Sequence, residues 1–143
     1  MANEAVLMFE TSLPIPMIVA NGTGIEQGQA VKLADPFTVS ASTAANDICG
    51  GFTAAEKIAS NGELTVPVYR SGIFKVFASG NVGVGDPLIT AIAADSPSNY
   101  FSSFVGTSAG LISGNRIWGV SLETATAGQT FLMELRPSFS VVA

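Results

Sequence analysis

The sequence predicts an all-β fold, a small β-barrel or sandwich of short strands with a pseudo-twofold internal repeat and an extended N-terminal arm. Three observations lead there. Apolar residues alternate with others at period two in several short segments, as in Leu64, Val66 and Val68 or Phe131, Met133 and Leu135. Glycine turns separate these segments, at Asn21-Gly22, Asn61-Gly62, Ser79-Gly80 and Ala127-Gly128. Two parts of the chain also echo each other.

Taken in order, Val31 and Leu33 flank Lys32 after the Gly28-Gln29 turn, and Leu64–Val68 alternates. Ile73–Phe77 follows Ser71-Gly72, Arg116–Leu122 carries the single tryptophan, Trp118, and Phe131–Leu135 alternates again. Short strands separated by turns at intervals of roughly 8–12 residues indicate a barrel or sandwich. Two stretches oppose this. Thr53–Ile58 has helical propensity, and Asp86-Pro87 resembles a helix cap ahead of Leu88, Ile89 and Ile92, which predicts a helix over 87–94 by local rules.

The repeat decides for strands. Gly51-Phe-Thr-Ala-Ala-Glu56, Ala59-Ser-Asn-Gly62 and Leu64–Val68 have counterparts in Gly119-Val-Ser-Leu-Glu123, Ala125-Thr-Ala-Gly128 and Phe131–Leu135. Upstream, Ile25–Val31 matches Val82–Leu88, which makes Leu88–Ile92 a strand like Val31–Leu33. The domain reading is an arm over 1–17 and one barrel over 18–143, with half-repeats of about 18–77 and 78–143. Gly28 to Gly85 spans 57 residues and Gly51 to Gly119 spans 68, so the second half carries an insertion of 11 within about 93–115.

Composition excludes several functions. Six Lys or Arg and eleven Asp or Glu make only 12% of the 143 residues charged, about half the usual share. Hydrophobic residues reach 48%, yet no window approaches the roughly 18–20 apolar residues of a spanning helix. A net charge of −5 does not suit a phosphate backbone. The chain has no histidine and one thiol, Cys49, which removes Ser-His-Asp and Cys-His catalysis, His-ligated metals and an intrachain disulfide. Cys49, between Ile48 and Gly50, reads as a buried structural thiol. MANEAVLMFE has no basic n-region, so it is not read as a secretory signal, and a reducing cytoplasm or a particle assembled there is expected.

Among possible general bases, Glu56 and Glu123 occupy nearly equivalent repeat positions after a strand. They read as solvated turn residues, with Glu56-Lys57 a local charge pair. The glycines of Gly80–Gly85 and Gly22–Gly24 lack the order and context of a phosphate loop, and Asp35, Asp47 and Asp86 lack calcium-loop spacing. No catalytic, cofactor-binding or metal-binding residue is assigned, and no cofactor is expected. The candidate contact residues are Thr11, Ser12, Leu13, Pro14, Ile15 and Pro16: two prolines two apart among apolar residues hold the segment extended. Such an arm suits either docking along another surface or an ordinary first strand lying over the barrel. As a docking arm it would be dispensable for folding, so that a chain lacking Met1–Pro16 still folds.

The order Glu10-Thr-Ser-Leu-Pro-Ile-Pro16, Gly24-Ile-Glu-Gln-Gly28, Leu33-Ala-Asp-Pro36, Gly51 with Ala55-Glu-Lys-Ile-Ala-Ser-Asn-Gly62, and Val68-Tyr-Arg-Ser-Gly72 carries a resemblance over most of the chain. It continues through Ala78-Ser-Gly80, Val84-Gly85 and Gly119 to Gly128. The chain resembles the capsid cement, or head decoration, proteins of tailed phages. That resemblance implies a structural protein and not an enzyme. It would be a homotrimer on the outside of an icosahedral head, bound to the major capsid protein, touching neither nucleic acid nor membrane, and assembled in the host cytoplasm. It also implies that the terminal arm reaches capsid subunits. The segment 93–115 is longer and more aromatic than the family pattern, which makes Tyr100, Phe101 and Phe104 interface-loop candidates. The low charge agrees, because cores of lasting interfaces are depleted of Lys, Glu and Asp. A tail or baseplate module, a carbohydrate-binding barrel and a trimeric barrel hydrolase are the alternatives.

Overall fold

A computed structural model describes residues 4–45, 47–91, 99–104 and 116–138. They form eleven strands: β1 (Val6–Phe9), β2 (Ile15–Ile18), β3 (Ala30–Ala34), β4 (Thr38–Ala41), β5 (Cys49–Thr53), β6 (Thr65–Tyr69), β7 (Gly72–Ala78), β8 (Pro87–Ala91), β9 (Tyr100–Ser103), β10 (Ile117–Ser121) and β11 (Thr130–Ser138). The fold is all-β. Thr53–Ile58 forms no helix, and Pro87–Ala91 is a strand, as the repeat requires and the local cap signal does not.

The predicted single barrel is two barrels, one from each half. In the first, β2 runs parallel to β4, and the antiparallel pairs β3–β4, β3–β5, β5–β6 and β2–β6 complete the ring. The second repeats every pairing: β7 is parallel to β9, and β8–β9, β8–β10, β10–β11 and β7–β11 are antiparallel. Each five-stranded ring is narrow enough for side chains to fill its interior, and closure leaves few free strand edges. One half could not be shared around a single barrel, because its five strands already close on themselves.

The glycines that first suggest the repeat are required by close packing of backbones. A Cβ on Gly51 would collide with the carbonyl oxygen of Tyr69, and one on Gly119 with that of Glu134, the equivalent position. The register corrects other parts of the alignment. The bridges Ile25↔Lys57 and Val82↔Ala125 correspond, as do Ser60 N to Asn21 O and Gly128 N to Ala78 O. Gly128 therefore corresponds to Ser60 and not to Gly62. Ser60 holds a left-handed φ of 59° where Gly128 has 83°, so the conformation is kept with a residue less suited to it. The insertion also divides. Three residues join β3 to β4 and eight join β8 to β9; seven join β4 to β5 and thirteen join β9 to β10. Five of the extra residues thus precede β9 and six follow it. Most of both connections, 92–98 and 105–115, lies outside the described residues.

The first barrel encloses Met17, Val19, Ile25, Val31, Val39, Val66 and Val68. A larger cluster fills the second and runs on into the first, taking in Ala30, Cys49 and Phe52 beside Phe74, Val76, Leu88, Phe101, Trp118, Phe131 and Met133. Phe52 joins the two, its ring centroid 4.6 Å from Phe74, 5.7 Å from Phe101 and 5.8 Å from Trp118. Buried polar groups fasten the same contact. Asn99 accepts from Ala30 N and donates to Gly28 O, both at 2.8 Å, and Trp118 Nε1 donates to Asp47 O at 3.1 Å. Thr90 Oγ1 accepts from Asp47 N and donates to Ala44 O. In each case a side chain from the second half bonds backbone groups of the first.

The N-terminal segment is built into both barrels. β1 pairs antiparallel with β7, and Ala5 N bonds Gly28 O at 2.9 Å. Ile15–Ile18 is β2, a wall of the first barrel, so the separate arm over 1–17 is replaced by a strap and a barrel strand. Removing Met1–Pro16 would strip β1 and half of β2, and it is not a neutral deletion. Truncating Phe52→Ala should destabilise the chain by about 3–5 kcal/mol, the cost of a large buried ring and the cavity it leaves. Urea unfolding, followed by fluorescence of the buried Trp118, measures this. A loss near zero would mean that the two barrels do not share a core.

Candidate interaction surface

Of the predicted contact residues, those of 11–16 come together at the junction of β1 and β2. Ser71, at the start of β7, anchors them: Thr11 Oγ1 donates to Ser71 Oγ at 3.0 Å, and the Ser12 and Ser71 hydroxyls lie 2.5 Å apart. Next to them Tyr69 Oη donates to Glu10 Oε2 at 3.1 Å. Burial and the Glu10 carboxylate hold this phenol above its ordinary range. With its ends held, the segment turns Leu13 outward, 77% exposed, while Pro14 is half-buried and Ile15 and Pro16 are exposed.

The aromatic candidates do not form one surface. Phe101 is a correction: as part of β9 it is fully buried, its ring 5.5 Å from Trp118. The alternation of β9 turns Phe101 inward, and a sequence reading that placed it in a loop could not assign it a face. Tyr100, the neighbouring residue, is half-buried with its ring 5.9 Å from Phe77. Phe104 is half-buried, its N–H bonded to Pro87 O at 2.8 Å.

Sequence reasoning missed a wider apolar surface. Val6, Met8 and Phe9 of β1 are exposed, Phe9 to 61%, and so are Ile18, Phe37 and Leu64. Ile18 N bonds Phe37 O, which brings those two side by side at the end of the first barrel. Beside Phe37, a shallow apolar groove is lined by Leu33, Ala34 and Ile48 with Asp35. The alternation of β1, Val6 and Met8 out with Leu7 packed on the core, was the available signal.

The groups weighed for chemistry are used otherwise. Glu56 lines an open cleft with Glu4, Glu26 and Gln27, whereas Glu123 Oε1 accepts from Leu132 N at 3.2 Å. The corresponding bridges make Thr124, not Glu123, the counterpart of Glu56 in the second half. The expected Glu56–Lys57 pair is also corrected: Lys57 is buried, and its Nζ donates to Asn21 O at 3.1 Å and Ile58 O at 2.7 Å. Cys49 is fully buried, and burial pushes its thiol far up. Asp47 Oδ2 accepts from Ser42 Oγ, Thr43 N and Ala44 N, closing a turn. Among the described residues no group of three or more Cys, Asp or Glu is placed to hold a metal ion. No helix of the described residues is long and apolar enough to cross a membrane.

No family model and no curated protein matches the chain. Among solved structures it is similar to one described as the head fiber gp8.5 N base in bacteriophage phi29, with a TM-score of 0.52 and 15% identity. The match covers 94% of this chain and 100% of that one. At that identity the likeness is one of fold, and it spans both barrels.

Asp86 provides a titration test of the second barrel. Its carboxylate accepts from Ser103 Oγ at 2.7 Å and Gly83 N at 2.8 Å, and these bonds hold its pKa below the ordinary value of 3.8. A lowered carboxylate pKa stabilises the fold above that ordinary value, and the contribution disappears as pH falls through the folded value. Asp86→Asn should therefore flatten the acid limb of the stability profile below about pH 4. Urea midpoints across a pH series check it, and parallel acid limbs would refute the assignment.

Proposed function

We propose that the chain is a structural protein of a tailed-phage virion: a head cement, or decoration, protein that binds the outer surface of the icosahedral capsid and stabilises it. Its partners are its own copies, as a homotrimer, and the major capsid protein. It carries out no catalysis and binds no nucleic acid or membrane. The observation that carries the reading is the likeness along nearly the whole chain to the base of a phage head fibre. The ordered motifs shared with cement proteins support it from the sequence side.

The chemistry of the surface is consistent with this role. A subunit held between its own copies and a shell needs few charges and can leave apolar side chains to be covered on assembly. Leu13 and Phe9, held outward beside a tethered junction, meet that description with little backbone freedom left to lose on binding. A trimer would engage several capsid subunits at once, so that modest contacts sum to tight attachment.

Two measurements separate the parts of the proposal. Incubated with isolated phage heads and sedimented, the chain should travel with expanded heads; absence from the pellet at saturating concentration would reject the cement role. Light scattering should give three times the 14.6 kDa chain mass, and a monomer mass would reject the trimer alone. Leu13→Ser should leave the unfolding midpoint unchanged and weaken head binding about tenfold or more, the cost of losing a buried leucine contact. Unchanged occupancy would remove residues 11–16 from the contact.

A further inference from the structure

The two barrels repeat each other's pairings, yet β1 pairs only with the second. Its partners on β7 are Lys75, Phe74 and Ile73, opposite Val6, Leu7 and Phe9. Backbone groups alternate in direction along a strand. Ala78 N bonds Gln129 O on the β11 side, and Ser79 N bonds Phe101 O on the β9 side. Counting back in twos from Ser79, Phe77, Lys75 and Ile73 present their backbone groups to the side shared by β9 and β1.

The first barrel has the same geometry. Val19 N bonds Leu64 O on the β6 side, and Ile18 N bonds Phe37 O on the β4 side. Counting back from Ile18, Pro16 and Pro14 face the β4 side. The registers Met17↔Val66 and Ile15↔Val68 correspond to Val76↔Phe131 and Phe74↔Met133. Pro14 and Pro16 therefore stand where β7 has Ile73 and Lys75, the residues that face β1. β4 pairs with β2 at Ile18↔Thr38, and no described strand pairs with residues 14–16 on that side. The place that β1 fills on the second barrel is filled by no described strand on the first.

An open edge equivalent to one the chain already pairs with β1 invites β1 of another copy. We propose that Pro14 and Pro16 close this edge: they remove the two N–H donors that an added strand would need, and so keep copies from joining by strand addition. Proline is suited to this because its ring carries no N–H while its φ remains compatible with an edge strand. An incoming strand finds acceptors at both positions and donors at neither, so every residue pair on that side loses half of its bonds. Proline at two positions two apart is what the alternation demands, since the residue between them, Ile15, faces β6. This inference is independent of the virion reading.

The test restores the donors. In the full chain, Pro14→Ile/Pro16→Lys installs the residues found at the equivalent places of β7. The probe is a fluorescent peptide of the β1 sequence, Glu4–Glu10, followed by anisotropy, with light scattering to report self-association. The variant should bind the peptide about tenfold or more tightly than the unsubstituted chain, as expected for two regained hydrogen bonds. It should also associate at lower concentration. A folded variant with unchanged peptide affinity and unchanged mass overturns the proposal, and so does equally tight peptide binding by the unsubstituted chain. If the longer side chains prevent folding, Pro14→Ala/Pro16→Ala supplies both donors without them. That variant should show the same gain, and its absence overturns the proposal equally.

Discussion

Phe52 belongs by sequence to the first barrel, but its ring is buried among Phe74, Phe101 and Trp118 of the second half. The rest of the structure depends on this contact. Each five-stranded ring holds few interior side chains, and a ring of that size alone would bury little apolar surface. Shared through Phe52, the core becomes one cluster that extends across both halves. The hydrogen bonds of Asn99, Thr90 and Trp118 lie around this contact, where β3 and the β4–β5 connection meet the second half. Polar backbone at the junction is thereby bonded within the protein.

The contact also explains where the repeat has diverged. Trp118 occupies the place of Gly50, and Val120 the place of Phe52, by the register of β10 with β8 and of β5 with β3. Two identical barrels could not pack this way, since the aromatic that enters one side must meet a pocket on the other. The N-terminal strap diverges for a related reason. One β1 is available for two equivalent edges, and the edge that no described strand covers is the one that carries proline. Interior positions, by contrast, keep similar residues in both halves, such as Val31 and Leu88 or Val66 and Phe131, because both rings enclose a space of the same kind.

On the outside, the low charge of the sequence has a definite location. Apolar side chains are exposed along β1, at the tethered junction before β2, and at the end of the first barrel around Phe37. The polar groups that do occur are mostly engaged locally: Asp47 and Asp86 close turns, Lys57 is turned inward onto two carbonyls, and Arg70 donates to Cys49 O and Gly50 O. Such a surface fits the proposed contact with other protein chains.

Much of the secondary structure could be read from residues alone. Period-two alternation located β6 and β11, the Ser71-Gly72 turn marked the start of β7, and the spacing of Gly28, Gly51, Gly85 and Gly119 revealed the repeat, because turns and close backbone approaches admit almost no other residue. That same repeat correctly placed a strand at Pro87–Ala91 against its helical cap signal. The number of barrels was not legible, since alternation says which face is buried and not which strand closes on which. Nor were the inward face of Phe101, the burial of Lys57, or the division of the insertion around β9. For the contact surface, composition showed a charged share about half the usual one, and Pro14-Ile15-Pro16 marked an extended segment. Whether that segment was a free arm or a barrel wall depended on pairings with β6 and β7, more than fifty residues away in sequence. Local chemistry determines where the chain extends and turns; long-range hydrogen bonding and the packing of Phe52 select the partners, and these are properties of the folded chain.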